Sequence, residues 1–267
     1  MKDVQKCLST IATATLLGGA SLAFGAAPNL SSASTFAVLG TTAVTCTTSL
    51  VVGDVGSGGT FANTGCTIAG AMPPATNPLV AGALADFQSA RAALQAQSTS
   101  CIQMPGNLAG KNLAPGVYCL DAVAKAGTLT LTGSSTDSWV LLVNGALTGT
   151  SFTVVMAGGA LPCNVYWSPT AAATMTDSAF KGNVLGGAGI TITRGTFAGR
   201  AFATAAVTMT NGVVGCDVPD TTTGAPTCKD KDHDGDDDKD KAKDKDRDHS
   251  SDSMYPLGSK KDIDGKK

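Results

Sequence analysis

At 267 residues the chain is long enough for one large domain or two small ones. Glutamate is absent, both histidines (His233 and His249) lie in a charged C-terminal stretch, and the only carboxylates between Pro28 and Thr227 are Asp54, Asp86, Asp121, Asp137, Asp177, Asp217 and Asp220. General acid–base catalysis built on histidine or paired carboxylates has little to work with, so the sequence reads as non-enzymatic. The net charge of −2 conceals a nearly neutral body and a charged tail, and no basic stripe interleaved with aromatics is present to bind nucleic acid.

Residues 1–27 read as a secretory signal peptide: Lys2 and Lys6, an uncharged apolar run from Cys7 to Phe24, then the small residues Gly25, Ala26 and Ala27. The run is rich in Ala, Gly, Ser and Thr and ends in a cleavage-like site, which disfavours a membrane anchor. Residues 28–227 are then expected to form an exported domain, secreted or held at the cell surface. Export permits disulfides among Cys46, Cys66, Cys101, Cys119, Cys163, Cys216 and Cys228. Nearest-neighbour pairing gives Cys46–Cys66, Cys101–Cys119 and Cys216–Cys228, leaving Cys163 as a buried thiol. No CxxC spacing points to zinc or redox chemistry.

A strand is expected over Ala33–Leu39, followed by threonine-rich strands to Val55 and by turns and short strands from Gly53 to Gly70. A helix is expected from Pro78 to Gln97, because Leu79, Ala83, Phe87, Ala90 and Leu94 recur at helical spacing on one stripe.

From Leu108 onward strands dominate, and a period emerges. TMT at 174–176, TIT at 191–193 and TMT at 208–210 recur at a constant interval of 17, and AFKG at 179–182 is followed at the same interval by TFAG at 196–199. NVYW at 164–167, NVLG at 183–186 and RAFA at 200–203 form a third series, at intervals of 19 and 17. Three interleaved series at one period describe a β-solenoid coil with three flat sides, triangular in section. Alternation points Ala173, Met175, Ile190, Ile192, Val207 and Met209 inward. Thr174, Thr176, Thr191, Thr193, Thr208 and Thr210 then face out, while Phe180 and Phe197 stack inward on another side.

Such a ladder makes a near-planar grid of hydroxyl and methyl groups, stiff at χ1 because threonine is β-branched. A grid of this kind can order water in a lattice resembling ice, with little ordering cost left on binding. Threonine ladders also form for strand stability alone.

Several segments carry a resemblance: APNLSSASTFAVLG at 27–40, VVGDVG at 51–56, LAGKNLAPGVYCL at 108–120, CNVYW at 163–167, SAFKGNVL at 178–185 and GTFAGRAFATAAVTM at 195–209. In order and spacing the chain resembles the microbial ice-binding protein family over nearly its whole body. The resemblance implies a discontinuous right-handed β-solenoid with a long helix alongside, an ice crystal surface as partner, no cofactor and no catalysis. The family's Thr-Ala/Gly-x-Thr repeats nominate Thr42, Thr45, Thr64 and Thr67, in TAVT at 42–45 and TGCT at 64–67. Cys46 and Cys66 fall inside or beside these repeats, and Lys181 and Arg194 would interrupt any ice plane containing them. The helix should cover another side, that of NVYW, NVLG and RAFA.

Residues 228–267 read as a charged, disordered tail: from Lys229 to His249 Lys and Asp alternate with almost nothing apolar to bury. Within it Asp230, Asp232, Asp234, Gly235, Asp236 and Asp238 are spaced like a calcium loop, but Lys241 stands where a bidentate glutamate belongs, so at most weak calcium binding is expected. The competing functions are a cell-surface adhesin or polysaccharide-binding solenoid, which would use Tyr118, Trp139, Tyr166 or Trp167, and a solenoid lyase or hydrolase, for which the aspartates are too scattered.

Overall fold

The computed structural model describes residues 25–122, 124–216 and 218. Among the described residues the chain forms β1 (Phe36–Gly40), β2 (Ala43–Thr47), β3 (Leu50–Val52), β4 (Asp54–Ser57), β5 (Thr60–Thr64) and β6 (Thr67–Ala69), then the helix α1 (Pro78–Gln95). After the helix come β7 (Ile102–Met104), β8 (Lys111–Leu113), β9 (Gly116–Asp121), β10 (Lys125–Thr132), β11 (Trp139–Asn144) and β12 (Leu147–Ala157). The last strands are β13 (Val165–Pro169), β14 (Ala173–Lys181), β15 (Asn183–Gly186), β16 (Ile190–Ala198), β17 (Ala201–Ala203) and β18 (Ala206–Gly215). The expected signal peptide, apart from Gly25–Ala27, and the expected charged tail with its calcium-like spacing and Cys228 lie outside the described residues.

The strands stack into two parallel sheets. One runs β4-β1-β17-β15-β13-β11-β9-β7, and the other runs β5-β2-β18-β16-β14-β12-β10-β8 with β3 and β6 continuing beside β18. The coil is discontinuous. The N-terminal strands pair with the last ones, Val38 with Ala201 and Thr45 with Thr208, while the helix carries the chain to the far end before β7.

The long strands of the second sheet bend at one residue each: Thr48 beyond β2, Ser151 in β12, Asp177 in β14, Arg194 in β16 and Asn211 in β18, all left-handed with φ between 48° and 58°. Left-handed backbone costs a residue with a Cβ ~1–3 kcal/mol, so its recurrence in consecutive coils marks a corner that the stacking imposes. Two buried serines just past it supply hydrogen bonds. Ser178 Oγ donates to the Thr176 carbonyl at 2.9 Å and accepts from the Phe152 amide at 3.2 Å. Ser49 Oγ donates to the Thr47 carbonyl at 2.9 Å and accepts from the Gly212 amide at 3.1 Å. The corner divides the second sheet into two sides, which with the first sheet gives the three sides expected from the sequence period.

The interior is filled as the alternation predicts. Ala173, Met175, Ile190, Ile192, Val207 and Met209 are all buried. Phe180 stacks on Phe197 with centroids 4.8 Å apart and lies 5.2 Å from the ring of Trp167. A second apolar layer joins the first sheet to α1: Tyr166, Leu185 and Phe202 meet Val80, Ala83, Phe87, Ala90 and Leu94. The helix therefore covers the side of NVYW, NVLG and RAFA. Its buried stripe starts at Val80, whereas Leu79 is 46% exposed, because Val80, three residues ahead of Ala83, takes the inward position in the first turn. The helix ends at Gln95 and continues as a 3₁₀ turn, and the first strand begins at Phe36 after a 3₁₀ turn at Ser31–Thr35.

The disulfides Cys46–Cys66 and Cys101–Cys119 are present as nearest-neighbour pairing predicts, and Cys163 is half-buried rather than buried. Phe180 packs between Phe152, Trp167 and Phe197. Truncating it leaves a ring-sized void in three successive coils, so Phe180→Ala is expected to destabilise the fold by ~3–5 kcal/mol in denaturant titrations.

Candidate functional site

The side of the second sheet before the corner is lined by two ranks of side chains. The register places Thr148, Thr174, Thr191, Thr208, Thr45 and Ala62 in one rank. The second rank is Thr150, Thr176, Thr193, Thr210, Thr47 and Thr64. With strands ~4.8 Å apart and alternate residues ~6.7 Å apart, six coils make a grid ~24 Å long. Beneath it Met175, Ile192, Met209 and Cys46 are 0–1% exposed, so the strands rest on a filled interior. Gly149 belongs to this layer, and a Cβ there would stand 2.7 Å from the Met175 sulfur. Two residues before each first-rank position are only Ala146, Ala172, Gly189, Ala206, Ala43 and Thr60, which keeps that flank low.

The structure brings together residues that the sequence places in two separate groups. Thr45 and Thr64 share the grid with Thr174, Thr176, Thr191, Thr193, Thr208 and Thr210. Thr42 lies in the turn ahead of β2, and Thr67 lies in β6 beyond the corner. Thr47, Thr148 and Thr150 belong to the grid, and the threonine-x-threonine spacing that identifies the other members identifies them as well. Cys46 does not interrupt the surface, because its side chain points inward between Thr45 and Thr47 to its disulfide.

Neither suspected cation crosses the grid. Lys181 is 4% exposed, in the part of β14 beyond the corner. Arg194 is the corner residue of β16, and it grips Asp177 of the neighbouring coil through Nε at 2.6 Å and Nη2 at 2.7 Å. The pair borders the second rank and neutralises itself there. Hydrogen bonding from Arg194 holds the Asp177 carboxyl below its ordinary 3.8, and the same bond raises Arg194. Among the described residues no group of three His, Cys, Asp or Glu side chains is placed to hold a metal ion.

Residues 9–215 match the ice-binding-like family. The chain belongs to that family. Over 88 residues it is 39% identical to an ice-binding protein of Flavobacterium frigoris, and over 89 residues 32% identical to ice-binding protein K3-B1 of Typhula ishikariensis. Each match takes in 32% of this chain and about a third of the relative, 32% and 37% respectively. Among solved structures, the ice-binding protein of Antarctomyces psychrotrophicus is similar with a TM-score of 0.60 and 27% identity, covering 71% of this chain and 98% of that one. An ice-binding protein of an Antarctic Flavobacteriaceae bacterium is similar with a TM-score of 0.65 and 32% identity, covering 71% of this chain and 47% of that one. The stretch matched to the family takes in every strand of the two parallel sheets and the flanking helix.

The corner pair predicts a narrow acid response. A carboxylate whose folded pKa is depressed stabilises the fold above its unfolded value and loses that contribution as pH falls through the folded one. The contribution of Asp177 is therefore complete at neutral pH and is lost only below about 3.8. Thermal melts of Asp177→Asn and wild type should lie in nearly constant relation from pH 5 to 8 and converge below that range.

Proposed function

We propose that the protein is an extracellular ice-binding protein that adsorbs to ice through the two-rank threonine grid on β12, β14, β16, β18, β2 and β5, inhibiting ice growth and recrystallisation. The observation that carries this reading is the unbroken register of eleven threonines and one alanine, with no charged side chain among them. Each threonine offers a methyl that sheds water and a hydroxyl that anchors it. The buried layer beneath holds their backbone fixed before ice arrives, so little ordering cost remains on binding. The ice-binding proteins to which the chain is similar support ice as the partner.

The other sides suit ice less well. The helix occupies one, and the side beyond the corner mixes Leu50, Val213, Ala179 and Thr196 in one rank. A polysaccharide-binding role is disfavoured because Tyr118, Trp139, Tyr166 and Trp167 are all buried and offer no stacking platform. A catalytic role is disfavoured because the grid holds neither a titratable side chain nor a groove. Export is supported by the character of residues 1–27 and by the two disulfides, which persist in oxidising compartments.

Replacing Thr191 or Thr208 with Tyr raises a bulky side chain from the middle of the grid. Recrystallisation inhibition in frozen sucrose should fall by about tenfold or more for either variant, with circular dichroism unchanged, because a grid bound by lattice fit tolerates no protrusion. Thr67→Tyr, beyond the corner, should retain wild-type activity. Equal activity of Thr191→Tyr and wild type would refute the assignment. With no titratable group on the grid, activity should also be flat between pH 5 and 9.

A further inference from the structure

The two ends of the solenoid are finished differently. At the end formed by β7, β8 and β9, the turn at 105–110 folds inward and seats the fully buried Leu108 in the interior cluster. At the other end β5 closes its sheet with no strand beyond it among the described residues. Every residue of β5 is exposed, and the inward-pointing Phe61 is 38% exposed. A pocket of about 100 Å³ lies beside it, between Val55, Met72 and Pro73. Five large apolar side chains are exposed among the described residues, and four of them gather toward this end. They are Leu50 in the coil before the last, Phe61 and Met72 in and after the last coil, and Leu79 in the first helical turn. The helix starts at this end, since Leu84 lies against Gly58. From residue 55 to residue 85 the chain has no charged side chain.

An exposed strand edge without charge is a template for pairing, and Phe61 and Met72 add exposed apolar surface beside it. We propose that this end is a self-association surface, and that its occupant is the same end of a second copy of this chain.

Two observations favour that occupant. The outward side chains of β5 are Thr60, Ala62 and Thr64, symmetric about Ala62. Antiparallel pairing of two copies of β5 sets Thr60 opposite the partner's Thr64 and carries the threonine ranks across the seam at an ordinary strand spacing. A two-fold contact also sets this edge against its own copy, which a net charge on it would resist and this uncharged edge does not. Pairing through one short edge strand makes a small contact, so the dimer is weak and forms where copies are concentrated. On the reading that the grid is the ice contact, pairing turns six coils into twelve and doubles the adsorbing surface.

Sedimentation velocity on the full chain over a concentration series tests this. The weight-average mass should rise toward twice the monomer mass, and Phe61→Lys should weaken association by roughly tenfold or more, as for a central interface residue. Phe61→Lys leaves the threonines in place, so ice binding by its monomer should persist. Where Phe61→Lys fails to fold, Met72→Lys, outside every strand and beside the same pocket, takes its place with the same expected loss. A wild type monomeric at all concentrations, or a folded lysine variant that associates like wild type, would overturn the proposal. Thr191→Tyr separates the two readings. It should associate like wild type while losing ice binding, so retained ice binding there counts against the grid and not against the association.

Discussion

The parallel backbone ladder is the interaction on which everything else depends. Each coil repeats its hydrogen bonds to the next, so the strand spacing is fixed by peptide geometry and residues at equivalent positions stand directly above one another. A one-residue slip would turn every threonine of a coil inward and every Met or Ile outward. The cost of burying two hydroxyls and exposing two large apolar side chains in each coil pins the register. The flatness of the outer grid and the density of the inner core are thus two consequences of one alignment.

The same alignment explains the corner. Parallel strands that continue across a bend need one residue to change direction at the same height in every coil. Thr48, Ser151, Asp177, Arg194 and Asn211 all adopt the left-handed conformation there. Glycine would relieve the strain but would also loosen the edge of the grid. The buried hydroxyls of Ser49 and Ser178 each bond both the carbonyl of a second-rank threonine and an amide of the adjacent coil. Polar groups that the bend would orphan are thereby satisfied inside the protein. The Asp177–Arg194 pair ties two of these corners together from outside, where solvent screening makes its contribution small.

Much of this architecture was legible in the sequence wherever coils follow one another without interruption. The constant period over 174–210 reveals three sides, the inward set and the outward threonines, because β14, β16 and β18 are consecutive coils of equal length. Legibility fails where a coil is lengthened or the chain jumps. Thr148 and Thr150 stand more than one regular period ahead of their partners Thr174 and Thr176, since the segment 158–164 is inserted between the coils. Thr45 and its ladder neighbour Thr208 come from opposite ends of the folded chain, because the helix detours the chain to the far end. A four-residue repeat read along the chain pairs Thr45 with Thr42, whereas the pleat pairs it with Thr47. Leu79 misleads for a related reason. Its helical phase is compatible with the apolar stripe, but Val80 in the same turn takes the buried place in the layer between helix and sheet.

Discontinuity also has a mechanical consequence. Had the chain wound from one end to the other, its first and last coils would both be loosely held terminal segments. Here the coils of β1–β3 and β4–β6 lie outside β17 and β18, so the C-terminal strands are interior to the stack and gain a neighbour on both edges. The disulfide from Cys46 to Cys66 then secures the last coil to the one before it, beneath the threonines of β2. A grid that must present fixed positions to a rigid lattice tolerates little fraying. Placing a covalent tie at the end where β5 is the edge strand puts the restraint where backbone pairing alone is weakest.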